Sequence, residues 1–268
     1  MTTTTKPPDP IAADLTLLLR KLKLGKLLDT LPERLALARQ QKMPHQDFLL
    51  LLLGDEVSRR ESNASVVRAQ RAHLDPAMQL EQWDRTTKVK LDWAVVNELA
   101  SLRFLEAQRN VVIVGPVGVG KTFLAHALGH VACRRGYSVV AVRADKMLKT
   151  LKHSRLDNSY DAELRKLVAV DLLIVDDFGL DAMDATESRD IFEVLIERHR
   201  SGSMIVTSNR GPDEWLATFA DPVRAQAAID RFTSNAYDLA IEGESYRQRL
   251  KQKLASGSPG QKGAASRN

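Results

Sequence analysis

Apolar residues in the first part of the chain recur at the spacing of amphipathic helices. Between Leu15 and Leu35 they lie three or four positions apart, with Lys and Arg between them. Pro44 interrupts this pattern, and a second helix is expected over "DFLLLLLGDEVSRRES" and a third over roughly 62–73. No strand pattern occurs here, so residues 15–80 predict a small all-helical N-terminal domain.

The pattern changes after this helical region. A Pro-containing stretch at 73–84 predicts the domain junction, and residues 81–91 predict a linker. From residue 92, short apolar runs alternate with helical stretches, which predicts an α/β domain over 92–250 with a five-stranded parallel sheet covered on both faces. The predicted strands are "VVIVG" (111–115), "SVVAVRA" (138–144), "DLLIVDD" (171–177), "MIVTSN" (204–209) and "AYDLAIEG" (236–243).

Composition excludes several classes of protein. Residues 1–14 lack an apolar signal core and residues 251–268 are rich in Gly, Ser and Ala, so we expect a disordered lead and a disordered basic tail. The longest apolar run, at 48–54, is too short to cross a bilayer. The single cysteine, Cys133, excludes an internal disulfide and a cysteine-based zinc cluster. We therefore expect a cytoplasmic protein with no membrane partner.

Positive charge is concentrated towards both ends. The net charge is +5, and residues 15–43 carry basic side chains with few acids, while no acid follows Arg247. Each cluster can be a solvated surface, but two of them flanking a balanced centre favour a polyanionic partner.

A glycine-rich loop follows the first predicted strand. "GPVGVGKT" has the G-x-x-x-x-G-K-T pattern between a strand and a helix, which predicts a phosphate-binding loop whose N–H groups converge on phosphate oxygens. Lys121 is expected at the β- and γ-phosphates of ATP, and the Thr122 hydroxyl is expected to bind Mg²⁺. The residues predicted to bind the nucleotide are Gly115, Pro116, Val117, Gly118, Val119, Gly120, Lys121, Thr122 and Phe123.

Carboxylates and an amide follow two later strands. Asp176 is expected to complete the Mg²⁺ site with Thr122, and Asp177 to hold the attacking water as general base. Asn209, at the end of "MIVTSN", can hydrogen-bond the γ-phosphate and this water. The alternatives are that Ser208 or Thr207 shares this task, or that Asn209 is a surface residue. A strand of this kind between the two nucleotide-binding strands indicates an additional-strand ATPase rather than a small-molecule kinase.

Two arginines lie further along the chain, in "IDRF" and "GESYR". Arg231 is expected to stabilise charge on the γ-phosphate of a neighbouring subunit, and Arg247 to contact the phosphates of its own subunit. The alternative is that both pair with surface acids such as Asp230 or Glu244. His126, His130 and Cys133, on the helix after the phosphate loop, have no metal-ligand spacing and are expected to be packing residues.

Several of these motifs, in this order and spacing, resemble the IstB-type transposition helper ATPases, which are AAA+ proteins related to DnaC and DnaA. The resemblance covers about residues 15–250 and rests on "GPVGVGKTFLAHAL", "LLIVDDFG", "IVTSNR", "IDRF" and "EGESYR". The sequence departs from it at Val119, where relatives often have Thr.

The resemblance implies an AAA+ fold without a C-terminal lid domain. It also implies ATP-dependent assembly on duplex DNA with little sequence preference, target-site selection and stimulation of a cognate transposase. A head-to-tail homo-oligomer, as a spiral or a ring, would repeat a modest basic surface along DNA. Candidate DNA contacts are Lys21, Lys23, Lys26, Arg59 and Arg60.

Three other functions are compatible with parts of the sequence. A DnaC-like helicase loader shares the ATPase core and would bind a replicative helicase through its N-terminal helices. A small-molecule phosphotransferase would need an acceptor pocket or lid. A nucleotide-gated scaffold would bind ATP with little hydrolysis, which the combination of Asp176, Asp177 and Asn209 argues against.

Overall fold

The computed structural model describes residues 11–85 and 89–246. Short 3-10 turns lie at Gly25–Asp29, Leu80–Gln82 and Leu216–Thr218. The α-helices are α1 (Ala13–Lys21), α2 (Leu31–Gln40), α3 (His45–Arg71), α4 (Trp93–Ala100), α5 (Arg103–Glu106), α6 (Lys121–Arg134), α7 (Ala144–Ser154), α8 (Tyr160–Val168), α9 (Ala185–Arg198), α10 (Pro212–Trp215) and α11 (Pro222–Thr233). The strands are β1 (Val89–Lys90), β2 (Asn110–Val114), β3 (Val139–Arg143), β4 (Leu172–Asp176), β5 (Ser203–Ser208), β6 (Ala236–Ala240) and β7 (Glu242–Gly243).

Five strands form one parallel sheet in the order β3-β4-β5-β2-β6. The predicted α/β class and five-stranded parallel sheet are therefore confirmed. Strand β5 lies between β2, which precedes the glycine-rich loop, and β4, which ends in the two carboxylates. This order brings the carboxyl ends of all three strands to one edge of the sheet.

The alternation of side chains along the strands divides the core between the two faces of the sheet. On one face Ile113 and Ile174 pack in a cluster with residues of α4 and α6. On the other face Val112 and Val175 pack with residues of α7, α9 and α11. Strands β4 and β5 are buried along their whole length, which is why their apolar residues, 172–175 and 204–206, are consecutive rather than alternating.

The chain divides into two compact units at Ser65, which lies within α3. The division falls before the junction predicted at 73–84, because the segment after Ser65 packs into the second unit: Ala69, Ala72 and Leu74 belong to the core that also contains β2. The two helices predicted around residue 62 are one continuous helix. The first unit is helical and has a small core of Leu19, Leu27, Leu31 and Leu52.

The predicted last strand is divided in the structure. Strand β6 ends at Ala240, and β7 then pairs antiparallel with β1, so Val89 lies opposite Gly243 and Lys90 opposite Glu242. This two-stranded sheet joins the segment predicted as a linker to the segment that follows the main sheet. No helix in the described part of the chain is long and apolar enough to cross a membrane.

Candidate active site

The glycine-rich loop connects the end of β2 to the first turn of α6, where the positive end of a helix favours anions. Gly118 and Gly120 have φ angles of +83° and +108°, which side chains rarely adopt. A β-carbon at Gly118 would overlap the Ser245 side chain, and one at Gly120 would lie 2.8 Å from Trp83 Cη2. These two positions therefore require glycine for both conformation and space.

Lys121 is the first residue of α6 and is only 6% exposed. Its Nζ donates hydrogen bonds to the carbonyl oxygens of Gly115 and Pro116, both at 2.8 Å, and to Asn209 Oδ1 at 2.6 Å. The loop thus surrounds an ammonium group, and the amide after β5 lies beside it. Both side chains are placed where a phosphate bound by the loop would meet them.

Thr122 and Asp176 face each other across the same edge. Thr122 Oγ1 donates to the Asp176 carboxylate, 2.9 Å from Oδ1 and 3.1 Å from Oδ2, and Asp176 is buried. Thr207, from the neighbouring strand β5, also donates to Asp176 Oδ1, at 2.5 Å. Two side chains therefore fix the orientation of this carboxylate.

Asp177 follows β4 with a φ angle of +56°, in the left-handed region. Its N–H donates to Thr207 Oγ1 at 3.0 Å, and the N–H of the next residue, Phe178, donates to the Thr207 carbonyl at 2.8 Å. The side chain is half-buried and lines the same cleft as Lys121. The chain therefore turns sharply after Asp176, and Asp177 lies at this turn.

The cleft that these residues line has a volume of about 560 Å³. Aromatic rings form part of its wall: Trp83 meets Phe123 edge to face, with ring centroids 5.4 Å apart, and Trp93 packs against Trp83 in the same manner at 6.1 Å. The cleft combines phosphate-binding groups with an apolar wall, as expected of a nucleotide site. Its other lining residues include Met78, Gln82, Asp84, Val89, Arg143, Leu180 and Tyr246.

Sequence reasoning did not single out Trp83, Arg143 or Tyr246. Trp83 lies in the segment predicted as a junction, Arg143 is the last residue of β3, and the Tyr246 N–H donates to Gly118 O at 2.9 Å. Trp83 belongs to no motif. Arg143 ends a predicted parallel strand, and such ends share one edge, while Tyr246 lies in "GESYR", where attention fell on Arg247; signals were therefore present for these two residues.

Arg231 lies near the amino ends of the parallel strands, at the side of the sheet opposite to the phosphate loop. It is exposed in the last turn of α11, and the next residue, Phe232, accepts a hydrogen bond from Asn110 Nδ2 through its carbonyl. Asn110 begins β2 and Gly115 follows its end, so five strand residues of roughly 3.3 Å each separate them by about 16 Å. Arg231 therefore cannot reach the phosphate loop of its own chain. Arg247 lies outside the described residues.

The residues expected to be packing residues behave as such. Cys133 is buried, and burial raises the pKa of its thiol to about 11. His126 Nδ1 accepts from the N–H of Asp75 at 3.0 Å, and His130 Nε2 lies 2.8 Å from the carbonyl of the same residue. Burial lowers the pKa of His126. Both imidazoles thus hold the chain that follows α3.

The candidate DNA-binding residues fall into two groups. Lys21, Lys23 and Lys26 are exposed, and Lys26 lies 3.7 Å from Asp29. Arg59 and Arg60 both bind the buried carboxylate of Glu56, and Arg60 also donates to the Lys23 carbonyl. Both arginines therefore pair with an acid of their own helix, and Arg60 also ties α3 to the segment after α1, so part of their charge is neutralised.

Comparison with known proteins agrees with this geometry. Residues 17–255 match the family model of the IstB-like ATP binding proteins. An ATP-binding protein of an insertion sequence in Mycobacterium tuberculosis is 39% identical over 232 residues, which cover 86% of this chain and 92% of the relative. The IS21 ATP-binding protein of Pseudomonas aeruginosa is 35% identical over 240 residues, covering 90% and 91%.

Solved structures share the fold at low sequence identity. AMPPCP-bound DnaA from Aquifex aeolicus has a TM-score of 0.53 at 24% identity, and the match covers 68% of this chain and 56% of that one. DnaI has a TM-score of 0.53 at 22% identity, covering 61% and 90%. The phosphate loop, the strand order and the family match together show that this chain belongs to the IstB-like ATP-binding proteins, which have an AAA+ P-loop fold.

Proposed function

We propose that the protein is an ATP-dependent transposition helper that oligomerises on duplex DNA, selects target sites and stimulates a partner transposase. ATP hydrolysis controls the assembly. The occurrence of its relatives in insertion sequences supports this context. The observation that carries the proposal is the position of Arg231, at the far edge of the sheet from the phosphate loop, because it suits completion of each ATP site by a neighbouring copy.

Within one chain, the loop from Gly115 to Phe123 binds the triphosphate. Lys121 leaves the loop carbonyls and contacts the β- and γ-phosphates. Asp177 holds the attacking water as general base, and the Asn209 amide orients the γ-phosphate and this water. Asp is one methylene shorter than Glu, so we expect slow turnover in the absence of DNA and partner. Arg247 is proposed to contact the phosphates of its own chain.

Thr122 and Asp176 are the residues that would hold Mg²⁺. Their oxygen atoms are hard donors and already lie within hydrogen-bonding distance of each other. Among the described residues no group of three or more His, Cys, Asp or Glu could form a metal cage. A site with two protein oxygens is nevertheless the type that Mg²⁺ uses when phosphates and water complete its shell. When bound, the ion neutralises charge on the β- and γ-phosphates.

Head-to-tail packing follows from a site shared in this way. Arg231 of one copy would reach the γ-phosphate held by the next and stabilise the charge that develops during transfer. A contact between two different surfaces generates rings or open helices. Because ATP then binds the assembled form more tightly than the single chain, its hydrolysis weakens the assembly.

A subunit-mixing experiment tests the shared site. Arg231→Ala and Asp177→Asn variants should each bind ATP and hydrolyse it poorly. In an equal mixture, a site with Asp177 from one chain and Arg231 from the next forms at roughly a quarter of random head-to-tail interfaces, so about a quarter of wild-type ATPase activity should return.

The matched control mixes Lys121→Ala with Asp177→Asn. Both changes fall in the site of the same chain, so no neighbour can supply the missing group and activity should stay low. Recovery in this control, or none with Arg231→Ala, would contradict a shared site.

The DNA and transposase roles need separate measurements. Binding of a labelled duplex, followed by fluorescence anisotropy, should be tighter with the ATP analogue AMPPCP than with ADP, and should be similar for unrelated sequences. Equal binding with both nucleotides would remove the proposed control of assembly. In reactions with the cognate transposase, adding this protein with ATP should increase strand transfer into the duplex that it binds. Capture of a replicative helicase instead would favour a helicase loader.

A further inference from the structure

We propose that Thr207 is a positioning residue that orients both carboxylates of the ATPase site through a single hydroxyl group. The proposal rests on the ATPase part of the proposed function. Thr207 lies in β5, two positions before Asn209, which follows the end of this strand.

Thr207 is completely buried, and its hydroxyl lies between Asp176, the last residue of β4, and Asp177, which follows it. It donates to Asp176 Oδ1 at 2.5 Å and accepts from the N–H of Asp177 at 3.0 Å. A hydroxyl has one donor and two acceptor positions, so this group can serve both residues at once. A hydrogen bond to an ionised carboxylate is also stronger than one between neutral groups.

The backbone at Asp177 makes this contact important. A non-glycine residue at φ +56° is in an unfavourable left-handed conformation that persists only when its surroundings hold it. Thr207 supplies both main-chain contacts, since its hydroxyl accepts from Asp177 N–H and its carbonyl accepts from Phe178 N–H. Thr207 therefore fixes the direction in which the Asp177 side chain leaves the strand.

The Asp176 carboxylate accepts hydrogen bonds from Thr122 and from Thr207. These two contacts should respond differently when Mg²⁺ and nucleotide bind. Thr122 is itself a proposed metal ligand, so its hydroxyl must turn from Asp176 to the ion. Thr207 is buried behind the carboxylate and can keep its hydrogen bond. The Thr207 contact is therefore expected to orient Asp176 in the bound state, and its loss should weaken the Mg²⁺-dependent part of nucleotide binding.

Calorimetric titration of AMPPCP into the full-length protein, once with Mg²⁺ and once with EDTA, tests this role. Thr207→Val keeps the shape and removes the hydroxyl. In EDTA, the AMPPCP affinity of this variant should stay within about twofold of wild type. The increase in AMPPCP affinity that Mg²⁺ produces (the Mg²⁺ gain) should fall by roughly 10- to 100-fold, as for other groups that orient metal ligands. Thr207→Ser keeps the hydroxyl and should restore most of this gain.

Ser203→Ala is the matched control. Ser203 is a buried hydroxyl residue at the other end of β5, where it donates to the Phe104 carbonyl. This variant should bind AMPPCP like wild type in both conditions.

An unchanged Mg²⁺ gain in Thr207→Val would overturn the proposal, and so would an equal loss of affinity with and without Mg²⁺. If the valine variant does not fold, Thr207→Ala is measured in its place, with the same two outcomes deciding. The titration uses neither DNA nor transposase, so failure of the transposition role would leave its result intact.

Discussion

The two compact units of this chain bury their leucines to different extents. In the second unit Leu172 and Leu173 are completely buried, because successive strand residues face the helical layers on the two sides of the sheet. In the first unit Leu17 and Leu50 are 64% and 74% exposed although both lie in leucine-rich stretches of helices. Helical periodicity thus predicts an apolar stripe, but only the surrounding elements determine whether it is covered.

The units also use charge differently. Around the phosphate loop, Lys121 and the two carboxylates converge on one cleft, which suits a charged ligand. In the first unit Glu56 is buried between Arg59 and Arg60, so its carboxylate is satisfied by its own helix. A residue pattern that looks basic in sequence can therefore be partly structural.

Core truncation should give the largest difference between the units. Ile174→Ala removes a completely buried side chain and should cost about 2–5 kcal/mol of unfolding free energy, whereas Leu50→Ala should stay within about 0.5 kcal/mol. Urea unfolding distinguishes the two units. The second unit contains all three tryptophans, Trp83, Trp93 and Trp215, so tryptophan fluorescence follows the unfolding of that unit alone, while circular dichroism follows both units. A similar cost for both changes would mean that Leu50 is covered in solution.

Nucleotide affinity should depend on one unit only. Lys121→Ala removes charge-assisted contacts worth roughly 1.5–3 kcal/mol, so the dissociation constant of ATP should rise about 10- to 100-fold. Lys23→Ala, an exposed lysine in the first unit, serves as the control and should leave it unchanged. Calorimetry at fixed Mg²⁺ measures both, and undiminished affinity in Lys121→Ala would remove the phosphate-loop assignment.

Acid should destabilise the first unit through Glu56. Hydrogen bonds from Arg59 and then Arg60 lower the pKa of this carboxyl from 4.5 to about 2. A lowered folded-state pKa adds stability above pH 4.5, and this stability is lost as the pH falls from about 4.5 towards 2. Melting followed by circular dichroism should show this loss.

Glu56→Gln serves as the comparison for the acid effect. It should melt earlier at neutral pH and show less dependence on acid over that range. An acid transition of equal size in both proteins would assign it to other groups.

The smallest expected effect concerns DNA. Replacing Lys21, Lys23 and Lys26 together by Ala should lower duplex affinity and reduce the slope of log K against log salt by about 0.9 for each DNA phosphate that these lysines neutralise. Lys166→Ala, an exposed lysine of the second unit that pairs with Glu163, is the control and should leave the slope unchanged. An unchanged slope in the triple variant would exclude this surface.

The sequence by itself determined the elements and the motifs. Continuous apolar runs predicted the five strands. "GPVGVGKT" predicted Lys121 and Thr122 at the start of a helix, and "DLLIVDD" predicted Asp176 at the end of a strand, because burial and glycine conformation are local requirements. The predicted ATP-binding AAA+ fold is confirmed by the family match.

Only the tertiary structure decided how distant segments meet. It placed β5 beside β4, which brings Thr207 to Asp176, and it folded Trp83 against Gly120 and Ser245 against Gly118. It also paired β1 with β7 and brought Arg60 to the carbonyl of Lys23. Strand pairing and side-chain hydrogen bonds across the fold depend on residues far apart in the chain, and local hydrophobic periodicity does not specify those partners.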